Sequence, residues 1–415
     1  MHLAFENTAP NMVKHWSGQF KGLDSGAEDY EISAETWELI WQETADAIRH
    51  IPADFVRVLG KNPSYFTAEA WCFWIVYLAP VLLRGRFRHQ KYYDHACQFS
   101  EIVKRCIAFE ITYTQIDHLE ENIIDWVQKY EEYYYQYDEA RLSACPLTIH
   151  GWLHVADDIR FCGPSWATWT FWMERYCGYL QSGLRSRRFP WANLNNRVLH
   201  TVYLEQLGAR YDLEDELSTY RARNKSTLSR SEKIYEDCSY NSQSTGDVAD
   251  PVLKKTRKTI QPRLPEVMPR WGKMRVVDGD SIRSASACAT ESTDVTERNM
   301  SFVRYEIQVQ DEDDAWIPRV FYGRLEEILV CKLPQDPFWA YMSDTTRLLA
   351  VITPCLTLGK DATKEVAFYT LMSAPIVTDL ATIVAVIGRV QSRGDWLIID
   401  RSGGLLHPEF VAGEE

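Results

Sequence analysis

The chain has 415 residues, too many for one ordinary hydrophobic core, so two or three domains are expected. Hydrophobic residues make up 46% of the chain, and its 15 Trp and 22 Tyr side chains favour a packed core over disorder. The net charge of −13 produces a field that repels nucleic acid. Any contact with DNA must therefore come from a local basic patch.

Residues 1–217 predict an all-α domain. Apolar residues recur at helical spacing in three stretches, residues 31–50, 92–109 and 114–137. Pro146 begins a further helix, and the pair Gly163-Pro164 ends it. The longest apolar run, residues 71–83, is too short to cross a membrane and contains a proline, so it predicts a buried helix.

Residues 218–299 are predicted to be a mostly disordered polar linker. The segment 218–269 has few large apolar side chains, and it cannot bury enough surface to offset its ordering entropy. Residues 281–298 are expected to be a second loose segment. The short basic run at 254–258, KKTRK, is compatible with a nuclear import signal or a non-specific DNA contact, although such runs are frequent by chance.

From residue 300 the apolar period changes to two, which predicts a small antiparallel β domain over residues 300–415. Strands are predicted at 303–309, 319–329, 347–353, 365–372, 382–390 and 396–400. The segment Ser392–Asp395 between the last two is typical of a hairpin loop. Short antiparallel strands in this number indicate a small barrel or an open sandwich.

The cysteines and the absence of phosphate-binding loops limit the chemistry. The ten cysteines form no Cys-x-x-Cys pair and no disulfide framework, which is typical of reduced thiols in an intracellular protein. The sequence contains neither a Walker loop nor a dinucleotide-binding glycine pattern, so no nucleotide cofactor is expected.

The densest chemical pattern lies between residues 145 and 191. His150 and His154 are four residues apart, about one turn of a helix, and share a face. Cys145 and Cys162 flank them, and zinc accepts these donor types. The spacing C-x4-H-x3-H-x7-C fits no common zinc pattern. Histidines satisfied beside the core are therefore favoured over a zinc site.

A carboxylate and a group of basic residues follow. Glu174 lies in an aromatic stretch, where a carboxylate is costly unless it is paired or binds a metal. The alternative is a glutamate on the polar face of an amphipathic helix. Two interpretations, phosphate contacts or an ordinary basic surface, remain open for the basic residues Arg185, Arg187, Arg188 and Arg197.

In this order, these elements resemble the C-terminal conserved region of CACTA-type (En/Spm) DNA transposases. The shared pattern consists of the two histidines, Ile159-Arg160, Cys162-Gly163-Pro164, an aromatic run and Glu174-Arg175-Tyr176 followed by basic residues. The resemblance covers about residues 1–217, and residues 320–334 resemble the small β domain near the C-terminus of such transposases. It implies an RNase H-like core in which three acidic residues hold two Mg²⁺ ions. Glu174 would be the third acid, and the helices before it a long insertion.

The resemblance also implies what this chain lacks. The second acid of the family belongs to an Asp-x-x-His motif, and Met1-His2 resembles its end, so we expect His2 to be a remnant of that motif and the first two acids to lie upstream. Two-metal phosphoryl transfer needs carboxylates for both ions. We therefore expect a catalytically inactive transposase remnant without a bound cofactor, whose remaining activity is binding to DNA or to a full-length transposase.

Two other classes of function remain open. The β domain could be a chromatin or protein interaction module that holds a peptide or methyl-lysine in an aromatic groove, with core packing as the competing interpretation. The aromatic residues of that groove would be Phe321, Tyr322, Trp339 and Tyr341. The other class is a zinc-dependent enzyme built on Cys145, His150, His154 and Cys162.

Overall fold

A computed structural model describes residues 2–184 except 25 and 27, residues 188–211 and 213, and residues 234–239, 264–265, 267–275, 281–291, 298–310 and 316–402. The chain forms two compact units. The first comprises Met1–Ser165 together with Lys233–Glu415, and the second comprises Trp166–Glu232. No helix in the described ranges is long and apolar enough to cross a membrane.

The N-terminal part is helical, as predicted. Its helices in the first unit are α1 (Ala9–Trp16), α2 (Ala34–Ala47), α3 (Ala68–Phe73), α4 (Ala79–Leu82), α5 (Gln90–Cys106), α6 (Tyr113–Tyr130), α7 (Leu147–Trp152) and α8 (Val155–Cys162). Wider helical turns over His2–Thr8, Trp74–Leu78 and Glu131–Tyr135 precede α1, join α3 to α4 and extend α6. Short 3₁₀ turns lie at Ile48–His50, Pro63–Tyr65 and Glu139–Ala144. The second unit contains α9 (Phe171–Gln181) and α10 (Pro190–Tyr211).

Helix α6 illustrates how local sequence determines these elements. The Thr112 side chain accepts from the Gln115 backbone N–H, and the Gln115 side chain accepts from the Thr112 backbone N–H, which together cap the helix start. The buried face is the one that the spacing predicts. It consists of Ile116, Leu119, Ile123, Trp126, Val127 and Tyr130.

Histidines and aromatic rings fill the centre of the helical part. His15 Nε2 lies 2.9 Å from the Tyr130 hydroxyl, and its ring stacks on Tyr134 at 4.7 Å between centroids. His95 stacks on Trp126 at 5.0 Å with nearly parallel planes. Burial, with a smaller contribution from the Arg141 charge, lowers the pKa of His15 to about 3. Burial also lowers the pKa of His95 to about 3. Both rings are therefore neutral in the folded protein near pH 7.

The C-terminal part is built from antiparallel strands. They are β1 (Ile234–Ser239), β2 (Val267–Trp271), β3 (Lys273–Arg275), β4 (Ser281–Arg283), β5 (Phe302–Gln310), β6 (Trp316–Lys332), β7 (Thr346–Pro354), β8 (Phe368–Tyr369), β9 (Ile376–Asp379), β10 (Ile383–Val386), β11 (Gly388–Ser392) and β12 (Asp395–Ile399). Within the described ranges, seven of them form one sheet in the order β1-β2-β6-β5-β10, with β7 paired to β6 and β9 paired to β7. A second sheet has the order β11-β12-β8, and β3 pairs with β4.

The sheet is open, so the closed-barrel alternative is wrong. Strand β6 is 17 residues long and changes partners along its length. Residues 316–324 pair with β5, whereas residues 323–332 pair with β7. The change occurs at Gly323, where a Cβ atom would lie 2.9 Å from the Thr353 carbonyl oxygen. The strands at the ends of the sheet, β1, β9 and β10, do not pair with one another in the described ranges, so the sheet does not close into a ring.

The predicted hairpin at residues 392–395 is present. Ser392 pairs with Asp395 across the β11–β12 ladder. The two residues between them, Arg393 and Gly394, have φ angles of 51° and 90°. A two-residue turn with both φ angles positive matches the right-handed twist of the flanking strands.

The predicted linker is partly outside the described residues and partly folded. Residues 214–233 and 240–263, which include the basic run at 254–258, are not among the described residues. The prediction of a loose segment at 281–298 is wrong for residues 281–291, which form β4 and the helix α11 (Ala285–Glu291). Ile282 is fully buried in the main core. A single well-placed apolar side chain can anchor a short element that average composition classifies as too polar to fold.

Helices α1–α8 and the strands of the C-terminal part share one hydrophobic core. They therefore form one compact unit, whereas the sequence predicts separate domains with boundaries at residues 217 and 300. Val303, Tyr305 and Ile352 of the sheet belong to the same buried cluster as the residues of α1–α8. Polar contacts also join the two parts. Asn299 N donates to the Arg49 carbonyl at 2.9 Å, and Arg298 Nη1 donates to the Pro52 carbonyl at 3.3 Å.

We expect the free energy of unfolding to fall as the pH is lowered from about 6.5 toward about 3. In that window the unfolded chain binds protons at His15 and His95, whereas the folded chain keeps both rings neutral. Each histidine then lowers the free energy of unfolding by roughly 1.4 kcal/mol for each unit by which the pH falls. The contribution of the two neutral histidines to the free energy of unfolding is fully present above about pH 6.5. It is lost as the pH falls toward about 3. Urea unfolding followed by tryptophan fluorescence between about pH 7 and pH 5 measures the slope.

Two variants separate this effect from general acid sensitivity. His95→Gln should show a smaller dependence of the urea midpoint on pH than the wild type. The matched control is His118→Gln, because the His118 side chain is 65% exposed. If the urea midpoint depends equally on pH in the wild type and in both variants, the effect does not come from His95.

Candidate functional site

The beginning of the chain packs against α7, far away in sequence. Trp152 Nε1 donates to Thr8 Oγ1 at 2.9 Å. A Cβ atom on Gly151 would lie 3.2 Å from Leu3 Cδ1, so the absence of a side chain there allows the close approach. The structure thus brings together two segments to which the sequence assigns candidate site residues, the one with His2 and the one with His150.

His2 is an exposed residue of the turn His2–Thr8. Its Nδ1 contacts the carboxylate of Glu6, one helical turn later. The same turn is closed by Thr8 Oγ1, which donates to the Leu3 carbonyl at 2.8 Å. The imidazole of His2 therefore stands at the surface, while its neighbours Ala4 and Phe5 are buried.

His150 and His154 lie side by side, as their spacing predicts. Their Nε2 atoms are 3.2 Å apart, and the rings are nearly perpendicular with centroids 4.9 Å apart. A hydrogen bond between these atoms requires one Nε2 to donate and the other to accept. Both side chains are exposed, and neither is a core histidine.

The two candidate cysteines do not complete a four-ligand site. Cys145 is half-buried before α7, and burial raises the pKa of its thiol. Cys162 is exposed at the end of α8, about 12 Å along the helix axis from His154 at 1.5 Å per residue. Within the described ranges, no three His, Cys, Asp or Glu side chains are grouped so that they could hold one metal ion.

Arg160 joins α8 to α6. Its guanidinium contacts Asp157 at 2.8 Å, Asp117 at 2.7 Å and Glu120 at 2.5 Å. These hydrogen bonds raise the pKa of Arg160. The preceding residue, Ile159, is buried in the core. The Ile-Arg pair of the sequence pattern therefore holds α8 in place through the apolar packing of Ile159 and through the ion pairs of Arg160 with two carboxylates of α6.

Gly163 ends α8 with a backbone conformation that suits only glycine. Its φ and ψ angles are 80° and −172°. Its N–H donates to the Ile159 carbonyl at 2.9 Å. A side chain at this position would be strained, whatever space surrounds it. The Gly163-Pro164 break that the sequence predicts thus has a geometric cause.

The second unit carries the remaining candidate site residues. Glu174 is part of α9, but its side chain is outside the described part, so its role as the third acid, which the resemblance implies, stays a prediction. Arg185 and Arg187 are also outside the described residues. Arg188 is exposed. Arg197 is half-buried, with Cζ 4.2 Å from the Tyr179 ring centroid, so it joins α10 to α9.

The two helices of the second unit expose many large apolar side chains, which sequence reasoning missed. Along α10 the only buried residue among those described is Gly208. Trp191 is 77% exposed and Tyr203 is 55% exposed. Other exposed members of the two helices are Met173, Tyr176, Leu199, Val202, Leu207 and Tyr211. Exposed apolar surface of this extent is typical of a region that another surface covers.

The aromatic residues of the β domain do not line one groove. Tyr322 is fully buried and donates to Asp400 Oδ2 at 2.8 Å, and Trp339 is buried in a different cluster. Phe321 packs against the main core, where it stacks on Tyr305 at 5.7 Å. Tyr341 is 85% exposed. Tyr322 and Trp339 are therefore part of the hydrophobic core and do not line a groove that could bind a peptide or methyl-lysine.

Comparison with known proteins finds no matching family model, no matching curated protein and no matching solved structure.

We expect Gly163→Ala to lower the free energy of unfolding by about 1–3 kcal/mol, because alanine is strained at the Gly163 backbone angles. Gly178→Ala is the matched control, since Gly178 lies inside α9 and a Cβ atom on it would meet no other atom within 4 Å. That control should leave stability unchanged or raise it by up to about 1 kcal/mol. Urea unfolding followed by circular dichroism compares them, and equal effects of the two changes would refute the role of Gly163.

Proposed function

We propose that this chain is the C-terminal part of a CACTA-type DNA transposase and that it acts by binding. In this proposal α9 and α10 dock on an RNase H-like transposase core, whether that core belongs to the same polypeptide or to another one. The observation that carries the proposal is the apolar surface of these helices, with Trp191 and Tyr203 exposed to solvent.

The resemblance supplies the reason for this choice of partner. It assigns Glu174 of α9 to the third acidic position of the RNase H-like core. A helix that carries one of three converging acids must pack close to the elements that carry the other two. The core with the first two acids would then cover the apolar side chains of α9 and α10. Such a protein acts on DNA in the nucleus, and the basic run at 254–258 would serve its import.

The order of the structural elements supports the same assignment. The paired histidines, the Arg160 bridge and the Gly163 break follow one another as in the family pattern. Each of the last two has a definite structural role in placing α8. The family pattern matches Glu174 alone among the three acids, so the proposed activity of residues 1–415 is docking, and DNA cleavage would require the core.

We expect the chain alone to show no Mg²⁺- or Mn²⁺-dependent cleavage or strand transfer on transposon-end DNA. Addition of a separately expressed transposase segment that ends at its Asp-x-x-His motif should restore cleavage, because the segment supplies the two missing acids. Glu174→Gln in the chain should abolish the restored activity. Cleavage by the chain alone that Glu174→Gln abolishes would overturn the proposal that it acts by binding.

Docking can be measured without catalysis. We expect the same core segment and the chain to co-elute in size-exclusion chromatography. Trp191→Asp with Tyr203→Asp should break the complex, because both charges would lie in the apolar contact. Tyr65→Asp is the matched control, since Tyr65 is 84% exposed in the first unit. If the double variant and the control bind equally well, α10 is not the docking surface.

A further inference from the structure

One surface of the first unit collects positive charge although the chain as a whole is acidic. It forms where the loop between α4 and α5 meets β8. Arg84 Cζ lies 5.6 Å from the centroid of the Phe368 ring, and Lys360 Nζ lies 5.6 Å from the same centroid. Two cations thus share one aromatic ring, whose electrons attract each of them while the two charges repel each other.

The hairpin turn between β11 and β12 adds a third cation. Gly85 has a φ angle of 62°, and a Cβ atom on it would lie 3.2 Å from Arg393 Nη1. Arg393 therefore lies against the backbone next to Arg84. Glu43 holds the two segments in this position, because its carboxylate accepts from Arg86 Nη2 at 2.6 Å and from Ser392 Oγ at 3.1 Å.

Helix α5 contributes a fourth cation. Lys104 Nζ donates to the Thr363 carbonyl at 3.2 Å, which ties α5 to the segment that carries Lys360. We call Arg84, Lys104, Lys360 and Arg393 the Arg84 cluster. The segment also contains Lys364, which pairs with Asp361 at 3.9 Å.

The charges of the Arg84 cluster are only partly balanced. Lys360 pairs with Glu365 at 3.2 Å. Arg84, Lys104 and Arg393 make no ion pair with any residue in the described ranges. Arg84 and Arg393 are exposed. Several unpaired cations held near one another are destabilising in the free protein, and a polyanion placed over them would relieve the repulsion.

We propose that the Arg84 cluster binds the phosphate backbone of duplex DNA without sequence preference. Its cations come from four separate segments and spread over a loop and a hairpin turn, which suits an extended polyanion better than a small ligand. The Phe368 ring is half-buried and lies near two of the cations, so the surface offers phosphate contacts rather than a free platform for base stacking. This proposal does not depend on docking by α9 and α10, because the Arg84 cluster lies in the other unit.

The test measures binding of the full chain to a fluorescent duplex of arbitrary sequence by anisotropy at several salt concentrations. The double variant Arg84→Ala with Arg393→Ala should bind at least about tenfold more weakly at low salt. Its plot of log affinity against log salt should be shallower by about 2, one unit for each lost phosphate contact. Circular dichroism checks that the variants and the wild type share one fold.

Arg88→Ala is the matched control, because Arg88 lies on the same loop but pairs with Asp29 at 2.7 Å. This variant should bind the duplex within about twofold of the wild type. Unchanged binding by the double variant would overturn the proposal, as would an equal loss in the control. Binding to polyglutamate with no measurable duplex binding would also overturn it, in favour of an acidic protein partner.

Discussion

The burial of one sheet face in the core of the helices is the constraint on which the first unit depends. Val303, Tyr305 and Ile352 lie in the same apolar cluster as Trp74 and Trp126. Neither part can expose its share of this cluster to water without losing the burial that stabilises it. Helices and strands that are more than a hundred residues apart are thus coupled in stability. Protonation of His15 or His95 would therefore destabilise the sheet together with the helices.

The same coupling creates the surface around Arg84. Its cations are contributed by the α4–α5 loop, by α5, by the segment before β8 and by the β11–β12 turn, and only the shared core brings these segments together. Glu43 then connects the loop and the turn directly. The acidic net charge of the chain makes such a local concentration of unpaired cations informative, because it runs against the field of the whole protein.

The two units present surfaces of opposite character. The second unit exposes aromatic and aliphatic side chains along α9 and α10, whereas the first presents cations around Phe368. Apolar surface suits a protein partner, and cationic surface suits a polyanion. Under the proposed function, the apolar surface would contact the catalytic core and the cationic surface would contact DNA. The exposed residues His150 and His154 contact each other through their Nε2 atoms.

Local pattern by itself determined much of the secondary structure of this protein. The buried face of α6, the break at Gly163 and the two-residue turn at Arg393-Gly394 follow from spacing and backbone preference within a few residues, which is why they could be predicted. His150 and His154 also lie side by side, as their spacing of four residues predicts, although His150 belongs to α7 and His154 is the N-cap residue of α8.

Tertiary structure decided the rest, because the responsible contacts join residues far apart in sequence. It buried Ile282 within a segment that is polar on average, and it gave β6 two successive sets of partners along its length. It also turned Arg160 toward the carboxylates of α6 and gathered the Arg84 cluster. The run of arginines from 84 to 88 is visible in the sequence, but only the fold shows which of them are paired and which are free to bind a partner.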